Sequence, residues 1–334
     1  MKKIAIIGGG SWGTALALAL ARSSRTHRIT LWAHSADVLE ILNTRRVNEI
    51  YLPGFELPAE IEVTGNLELA LAEADIVLGV MPSAHARGLY RAMRPHVRPD
   101  SVFISATKGL EPATHARISE VITDEMGLSS PSRIAVLSGP SFALEVAAGD
   151  PTAVVLASSE AELASEVQEE FSGPRFRLYT NDDVIGTEIA GAVKNVIAIA
   201  AGICTGLKLG TNTVAALVTR GLAEMTRLAV ALGGRRETLS GLAGVGDLIL
   251  TATGELSRNR SVGIELGKGR ELSEILGSTR RVAEGVGSTA ATLELARRAE
   301  VEMPIAEQVH SVLTAGRVTR DAIRDLMERR LKQE

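Results

Sequence analysis

The sequence predicts an α/β protein: a parallel-sheet domain first, then an all-α domain. Three observations carry that prediction. Up to about residue 180, short apolar runs alternate with helix-like segments, the mark of βαβ units. From 183 onward helical patterns continue with no confident strand. The first apolar run ends in a glycine loop, 8-GGGSWG-13, that opens a helix. The chain therefore divides into residues 1–182 and residues 183–334.

Residues 2–8 (KKIAIIG) read as a buried parallel strand, because a strand covered on both faces is apolar throughout. Residues 12–22 read as a helix and 28–33 as a second strand. The apolar runs at 75–80, 101–105, 133–138 and 152–157 supply further strands, with helices between them such as 84–94, 112–126 and 160–171. The domain boundary falls at 180-TNDDVIG-186, where Asn181 or Asp182 can cap the next helix. Beyond it, turns fall at 233-GG-234, 241-GLAGVG-246 and 267-GKG-269, and 324-RDLMERRLKQE-334 reads as a solvated helix end.

Composition narrows the function. Hydrophobic residues make up 45% of the 334 and aromatics only 3%, so the cores are aliphatic. A net charge of −4 gives no electrostatic footprint for nucleic acid. The one cysteine, Cys204, allows no intrachain disulfide, which suits a reducing cytoplasm. The apolar run of MKKIAIIGGG is too short for a signal peptide, and no run of about 18 uninterrupted apolar residues offers a membrane span. A cytoplasmic α/β protein without membrane insertion is expected.

The glycine loop is the first specific chemical signal. Gly8, Gly10 and Gly13 fit G-x-G-x-x-G between a strand and a helix, the Rossmann-type dinucleotide fingerprint. Gly8 permits the tight turn, Gly10 lets backbone approach a pyrophosphate, and Gly13 lets helix and strand pack closely. The helix N-terminus then faces the phosphates with free N–H groups. The second strand ends in 31-LWAHS-35, with no Asp or Glu to hold a ribose 2′-hydroxyl. NADP(H) is thus admitted beside NAD(H). His34, Arg45 or Arg46 could contact a 2′-phosphate; His34 could equally be a surface histidine.

The stretch 188-EIAGAVKNVIAIAAG-202 poses the sharpest question. It is a helix apolar nearly all round, hence buried, yet it carries Lys194. A buried ammonium must be paired, shifted in pKa, or turned toward a wet cleft. Thr187, Gly191, Ala198 and Ala201 share its face, and these small side chains leave room for close approach.

Four other islands combine turns with polar groups. In 105-SATKGLE-111, Lys108 follows a strand; 138-SGPSFALEVAAG-149 puts Gly139 and Ser141 at a strand-to-helix turn. In 244-GVGDLILT-251, Asp247 follows a flexible turn, and 253-TGELSRNRSVG-263 supplies Ser257, Arg258 and Asn259. Singly, each reads as a solvated loop charge, a helix cap or a polar bend. Together, Lys108, Lys194 and Arg258 suit a small anionic substrate, and arginine can grip phosphate bidentately. Other chemistries fit poorly. G-x-S-x-G is broken at Ala143, and the six histidines show no metal-ligand spacing, so no metal is expected.

The segments GGGSWGTALA, MPSAHAR, SATKGLE, SGPSFALEVA, GAVKNVIAIAAG, GVGDLILT, ELSRNRSVG and RRVAEGV occur in that order. On them the chain resembles bacterial NAD(P)-dependent glycerol-3-phosphate dehydrogenase over essentially its whole length. The resemblance implies reversible reduction of dihydroxyacetone phosphate to sn-glycerol 3-phosphate by NADPH or NADH. It also implies a homodimer and a role in supplying glycerophospholipid synthesis. By position it makes Lys194 the proton acceptor. Lys108, Gly139, Ser141, Asn195, Asp247, Ser257, Arg258 and Asn259 would meet the substrate, with Lys108 and Asn195 polarising the ketone. Ser11, Trp12, His34, Tyr51, Ala143, Val282 and Glu284 join the loop glycines on the cofactor side, where Lys108 and Arg258 also reach. In MPSAHAR the histidine, His85, does not directly follow the serine as in much of the family, which leaves its role open. Two competing readings are a β-hydroxyacid or 6-phosphogluconate type of dehydrogenase and a nucleotide sensor without turnover. The S-R-N-R run and Asp247 argue against the first; retention of Lys194 and its partners argues against the second.

Overall fold

The computed structural model describes residues 1–278 and 282–330. Its strands are β1 (Lys3–Ile7), β2 (Arg28–Trp32), β3 (Val47–Asn48), β4 (Leu52–Glu56), β5 (Ile61–Thr64), β6 (Ile76–Gly79), β7 (Val102–Ser105), β8 (Ile134–Ser138), β9 (Thr152–Ala157) and β10 (Phe176–Asn181). Strands β3 and β4 form a small ribbon, and the rest form one sheet in the order β10-β9-β8-β7-β6-β1-β2-β5. Helices α1 (Ser11–Ala21), α2 (Ala36–Arg45), α3 (Leu67–Leu71), α4 (Ser83–Met93), α5 (Ile118–Met126), α6 (Ala143–Ala148) and α7 (Ala161–Phe171) cover it. Strand β1 shows why its sequence is apolar throughout. Ile4 and Ile6 pack in one core with residues of α1, α2, α6 and α7, while Ala5 and Ile7 pack in another with α3, α4 and α5.

This is a Rossmann-type sheet with one departure. Strands β8 and β9 are antiparallel, with Val136 opposite Ala157, so β9 and β10 run against the others. A buried apolar run such as 152–157 specifies a strand but carries no direction. Two sheet edges escaped the sequence reading. In β10, Phe176 and Leu178 are buried while Arg177 and Tyr179 are exposed, and β5 is similarly half polar. Edge strands of this kind lack the continuous apolar signal.

The rest is helical: α8 (Val184–Gly206), α9 (Thr211–Ala231), α10 (Arg236–Leu239), α11 (Asp247–Thr253), α12 (Arg258–Gly267), α13 (Leu272–Gly277), α14 (Glu284–Arg298), α15 (Pro304–Ala315) and α16 (Thr319–Met327). Helix α8 is the axis of this part, packed by α9, α11, α12 and α14. Its cap is Asp183, not Asn181 or Asp182: the Asp183 carboxylate accepts from Gly186 N at 2.8 Å. Asn181 instead accepts from Asp183 N, and Asp182 pairs with Arg235. By length and a mean hydropathy of 1.6, α8 would suit a membrane span, contrary to the count of uninterrupted apolar residues; 89% of its most apolar window is buried inside the protein. It is the core helix of the second domain. The end of the C-terminal charged segment, 331–334, lies outside the described residues.

Glu224 on α9 closes the N-terminus of α15, accepting from Ile305 N at 2.8 Å and Ala306 N at 3.4 Å. Burial pushes its pKa up from 4.5 to about 7 against those hydrogen bonds. A folded-state value above the unfolded one means that this group's stabilisation is present at acid pH and fades as pH rises from about 4.5 through 7. Glu224→Gln keeps one acceptor and removes the charge. At pH 8 it is expected to stabilise the fold by ~1–3 kcal/mol, and at pH 4.5 by nothing measurable. Urea denaturation at the two pH values checks this.

Candidate active site

The carboxyl ends of β1, β2, β6, β7 and β8 face a cleft of about 790 Å³ that the helical domain closes from the other side. Strand β1 is flanked by β2 and β6, the point of chain reversal at which open α/β sheets bind ligands. The glycine loop forms the floor. Gly8 sits at φ +136°, a conformation L side chains rarely adopt, and a Cβ there would strike the Val80 carbonyl at 2.5 Å. A Cβ on Gly13 would collide with the Gly8 carbonyl oxygen, whereas one on Gly10 would meet open space. Gly10 is the N-cap of α1 and no side chain caps it. The first amides of α1 are therefore available to a ligand. Asn48 braces the loop: its amide donates to Gly9 O at 2.9 Å and Thr14 Oγ1 at 2.8 Å, and its oxygen accepts from Tyr51 N at 3.2 Å. Sequence reasoning missed Asn48, which has no motif to mark it.

Trp12, Tyr51, Ala143 and His34 join the loop in the cleft wall. The Nε1 of Trp12 is buried without an acceptor among the described residues. An open glycine cradle, an uncapped helix start and an orphaned indole N–H fit a dinucleotide. Beyond β2 the wall carries Ala33, His34, Ser35 and Val38, none of them acidic. The imidazole of His34 lies 5.7 Å from the Trp32 ring. The two arginines considered beside His34 are engaged elsewhere. Arg46 donates to the Pro58 and Ile61 carbonyls, and Arg45 pairs with Glu49 at 2.8 Å.

Three charges meet at the base of the cleft. Asp247, at the start of α11, is 1% exposed and bridges two lysines. Its Oδ1 lies 2.5 Å from Lys194 Nζ, and its Oδ2 lies 2.9 Å from Lys108 Nζ. Lys194 is 4% exposed. Burial pulls its pKa down from 10.5 to about 7; Asp247 opposes that shift and Lys108 adds to it. Burial alone would raise the Asp247 pKa, but the two ammonium groups more than cancel this and hold it below the usual carboxylate value. Lys108 also donates to Gly139 O at 2.7 Å and Ser141 Oγ at 3.1 Å, so its three N–H bonds are accounted for. Ser141 in turn donates to Gly139 O at 2.9 Å and caps no helix, since the α6 cap is Phe142. Lys194 donates to Thr251 Oγ1 at 2.9 Å and to Asp247, which leaves one N–H. Thr251 was not singled out from the sequence. It lies one helical turn after Asp247 and donates to the Asp247 carbonyl at 2.6 Å. The space beside Gly191 proves to be room for protein: a Cβ there would lie 3.0 Å from Ser138 Oγ and 3.8 Å from Lys108 Cγ.

The amide of Asn195 is fully engaged. It donates to Lys108 O at 3.1 Å and Gly191 O at 3.2 Å, and its oxygen accepts from Asn259 Nδ2 at 2.9 Å. It holds the Lys108 backbone and has no donor left to polarise a ketone. Asn259 accepts from Gly285 N at 2.9 Å, carrying the same chain of contacts to α14. Ser257 caps α12 by accepting from Arg260 N at 3.2 Å. Arg258 reaches across the cleft, donating to Ser11 Oγ at 3.3 Å and Val282 O at 3.1 Å. Glu284, at the start of α14, accepts from Ser83. Of the residues nominated from sequence, all but Arg45, Arg46, Gly13 and Gly139 line the cleft, and Gly139 touches Lys108 from behind. His85 also lines it, while Arg280 and Arg281 of RRVAEGV lie outside the described residues. No three His, Cys, Asp or Glu side chains converge as a metal site among the described residues.

Comparison with known proteins agrees with this geometry. The family described as NAD-dependent glycerol-3-phosphate dehydrogenase matches through its N-terminal part over residues 3–164 and its C-terminal part over residues 183–324. The glycerol-3-phosphate dehydrogenase (NAD(P)+) of Koribacter versatilis is 56% identical over 330 residues, 98% of either chain. That of Geobacter sulfurreducens is 49% identical over 333 residues, covering 100% of this chain and 99% of its own. Among solved structures, glycerol-3-phosphate dehydrogenase from Coxiella burnetii superposes with a TM-score of 0.93 at 42% identity, covering 98% of this chain and 99% of that one.

Proposed function

Because the chain belongs to the NAD-dependent glycerol-3-phosphate dehydrogenase family, oxidoreductases that interconvert dihydroxyacetone phosphate and sn-glycerol 3-phosphate with NAD(P)H, we propose that Lys194 moves the proton in that reaction. The observation that carries the assignment is the unequal engagement of the two lysines. Lys108 makes three hydrogen bonds to protein, whereas Lys194 makes two and has a pKa of about 7. An acid near neutrality can give a proton in one direction and retrieve it in the other.

The cofactor, when bound along the glycine loop and the α1 N-terminus, supplies or accepts the hydride at substrate C2. The remaining work falls to the chain. Lys194 points its third N–H at the ketone oxygen and protonates the developing alkoxide. Asp247 orients that amine and, lying between Lys194 and Lys108, offsets one of the two ammonium charges in the pocket. Thr251 fixes the Lys194 rotamer. Arg258, at the junction of α12 and the glycine loop, clasps the substrate phosphate and so holds C2 in place for transfer. His34 faces the adenosine end and, with no acid beside it, admits either NADPH or NADH. Residues 1–182 serve the cofactor and 183–334 complete the substrate pocket. In the cell the protein would work in the cytoplasm as a homodimer, feeding glycerol 3-phosphate to lipid synthesis; sedimentation tests the assembly.

The experiment is an absorbance assay at 340 nm with dihydroxyacetone phosphate and NADPH or NADH. Absence of substrate-dependent oxidation, with cofactor still binding, would reduce the protein to a nucleotide sensor. Within the assay, Arg258→Ala is expected to raise KM for the phosphorylated ketone by about 10–100-fold, the worth of one or two charged hydrogen bonds. An unchanged KM would move the phosphate elsewhere.

A further inference from the structure

The seam between sheet and helical domain is pinned twice by one device. Ser83 is the first residue of α4, whose N-cap, Pro82, offers no capping side chain. Its backbone N–H donates to Glu284 Oε1 at 3.1 Å and its Oγ to Glu284 Oε2 at 2.6 Å. Ser119 in the first turn of α5 does the same toward α8: its N–H donates to Glu188 Oε1 at 2.8 Å and its Oγ to Oε2 at 2.5 Å. In both, a carboxylate from the helical domain caps a helix of the sheet domain, where the dipole favours negative charge. The two differ in what stands behind them. Glu188 backs onto Arg117 at 2.9 Å, away from the cleft. Glu284 lines the cleft and lies against the loop that carries Lys108. A Cβ on Gly109 would sit 2.7 Å from Glu284 Oε2 and 2.8 Å from Ser83 Oγ.

We infer that Ser83 is a positioning residue for catalysis: by gripping Glu284 over Gly109 it sets the Lys108 loop, and with it the Asp247–Lys194 pair, against the cofactor side of the cleft. Ser83 was not among the residues nominated from sequence; its partner Glu284 was, but only as a residue on the cofactor side. The inference rests on the dehydrogenase reading above. Ser83 acts from one end of the Lys108 loop, and the Asn195–Asn259–Gly285 contacts hold its other side. Among the described residues, the charged or titratable groups acting on Glu284 are Arg258 from α12 and His85 from α4. Burial raises the Glu284 pKa, and the Ser83 hydrogen bonds are the first of the effects that hold it down.

The test compares Ser83→Ala, Ser83→Thr and, as a control on the second pin, Ser119→Ala, in the full-length protein. Ser83→Ala is expected to lower kcat roughly 10–100-fold, the order seen when reacting groups are held slightly out of place, with KM for dihydroxyacetone phosphate changing less than about threefold. Ser83→Thr restores most of the rate. Without the hydroxyl, Glu284 takes up a proton at higher pH, so the Tm deficit of Ser83→Ala widens between pH 5 and 8. That readout needs no turnover. Ser119→Ala shows a comparable Tm deficit and a kcat within about twofold of wild type. Wild-type kcat in Ser83→Ala, or an equal kcat loss in Ser119→Ala, overturns the inference. Gly109→Ala, which pushes on the same contact from the other side, should reproduce the kcat loss if Ser83→Ala folds too poorly to assay. A wild-type protein inert toward dihydroxyacetone phosphate defeats the functional reading, while the pH-dependent Tm deficit still reports on the Ser83–Glu284 contact.

Discussion

Lys194→Ala is expected to cut kcat for dihydroxyacetone phosphate reduction by about 10²–10⁴-fold, the usual worth of positioned proton transfer, while the cofactor dissociation constant stays within about twofold. The two parts of that expectation have different origins. The Lys194 amine lies on α8 at the base of the cleft, across from the glycine loop, so truncating it removes no group that holds the dinucleotide. Folding should survive, because Asp247 keeps its ion pair with Lys108 at 2.9 Å. The wild-type enzyme offers a second check through pH. Reduction needs the ammonium form, so its rate falls as pH rises through about 7; oxidation of glycerol 3-phosphate needs the free amine and rises over the same range. Rates in both directions from pH 5.5 to 9, with cofactor titration by tryptophan fluorescence, measure all of this. Near-normal kcat in Lys194→Ala would remove the residue from the mechanism and turn attention to Lys108.

The fold was legible where burial leaves a signature. KIAII, IVLG and IAVLS are apolar because both faces of the central strands are covered, and the glycines after β1 announce a turn whose φ and clearance the structure bears out. Direction and edges were not legible: nothing in TAVVLA distinguishes β9 antiparallel from β9 parallel, and FRLYTN hides a strand behind its polar half. At the site, sequence could nominate Lys194, Lys108 and Asp247 because charge stands out beside glycine turns and apolar helix. It could not say which partner each takes. Asn195 looked like a donor to substrate and is instead saturated by Lys108 O, Gly191 O and Asn259. Asn48, Ser83 and Thr251 matter through contacts far away in sequence or through a single hydroxyl, and neither leaves a pattern in one chain.

The second large effect belongs to Asp247→Asn. The substitution keeps the size of the side chain and an oxygen for one lysine but removes the negative charge between two ammonium groups. Asp247 is the foremost influence raising the Lys194 pKa against its burial, and Lys108 pushes the other way. Without the carboxylate, both remaining effects act downward, so Lys194 loses its proton well below pH 7. Reduction at pH 7.5 is then expected to fall by about 10²-fold or more, because the ammonium fraction drops roughly tenfold for every pH unit that separates the assay from a lower-lying pKa. The reduction profile should move to acid pH by about two pH units or more, with partial recovery of rate near pH 5.5. Stability should also suffer, because one member of a buried charge cluster is gone; a cost of about 3–5 kcal/mol applies to an outright loss of partner, and the amide should soften it. A pH–rate series on Asp247→Asn separates these effects, as a stability loss lowers the amount of active enzyme at every pH and leaves the midpoint alone. An unmoved midpoint would mean that the 2.5 Å contact with Lys194 does not govern its protonation, and the acid–base role would then need a different tuning group.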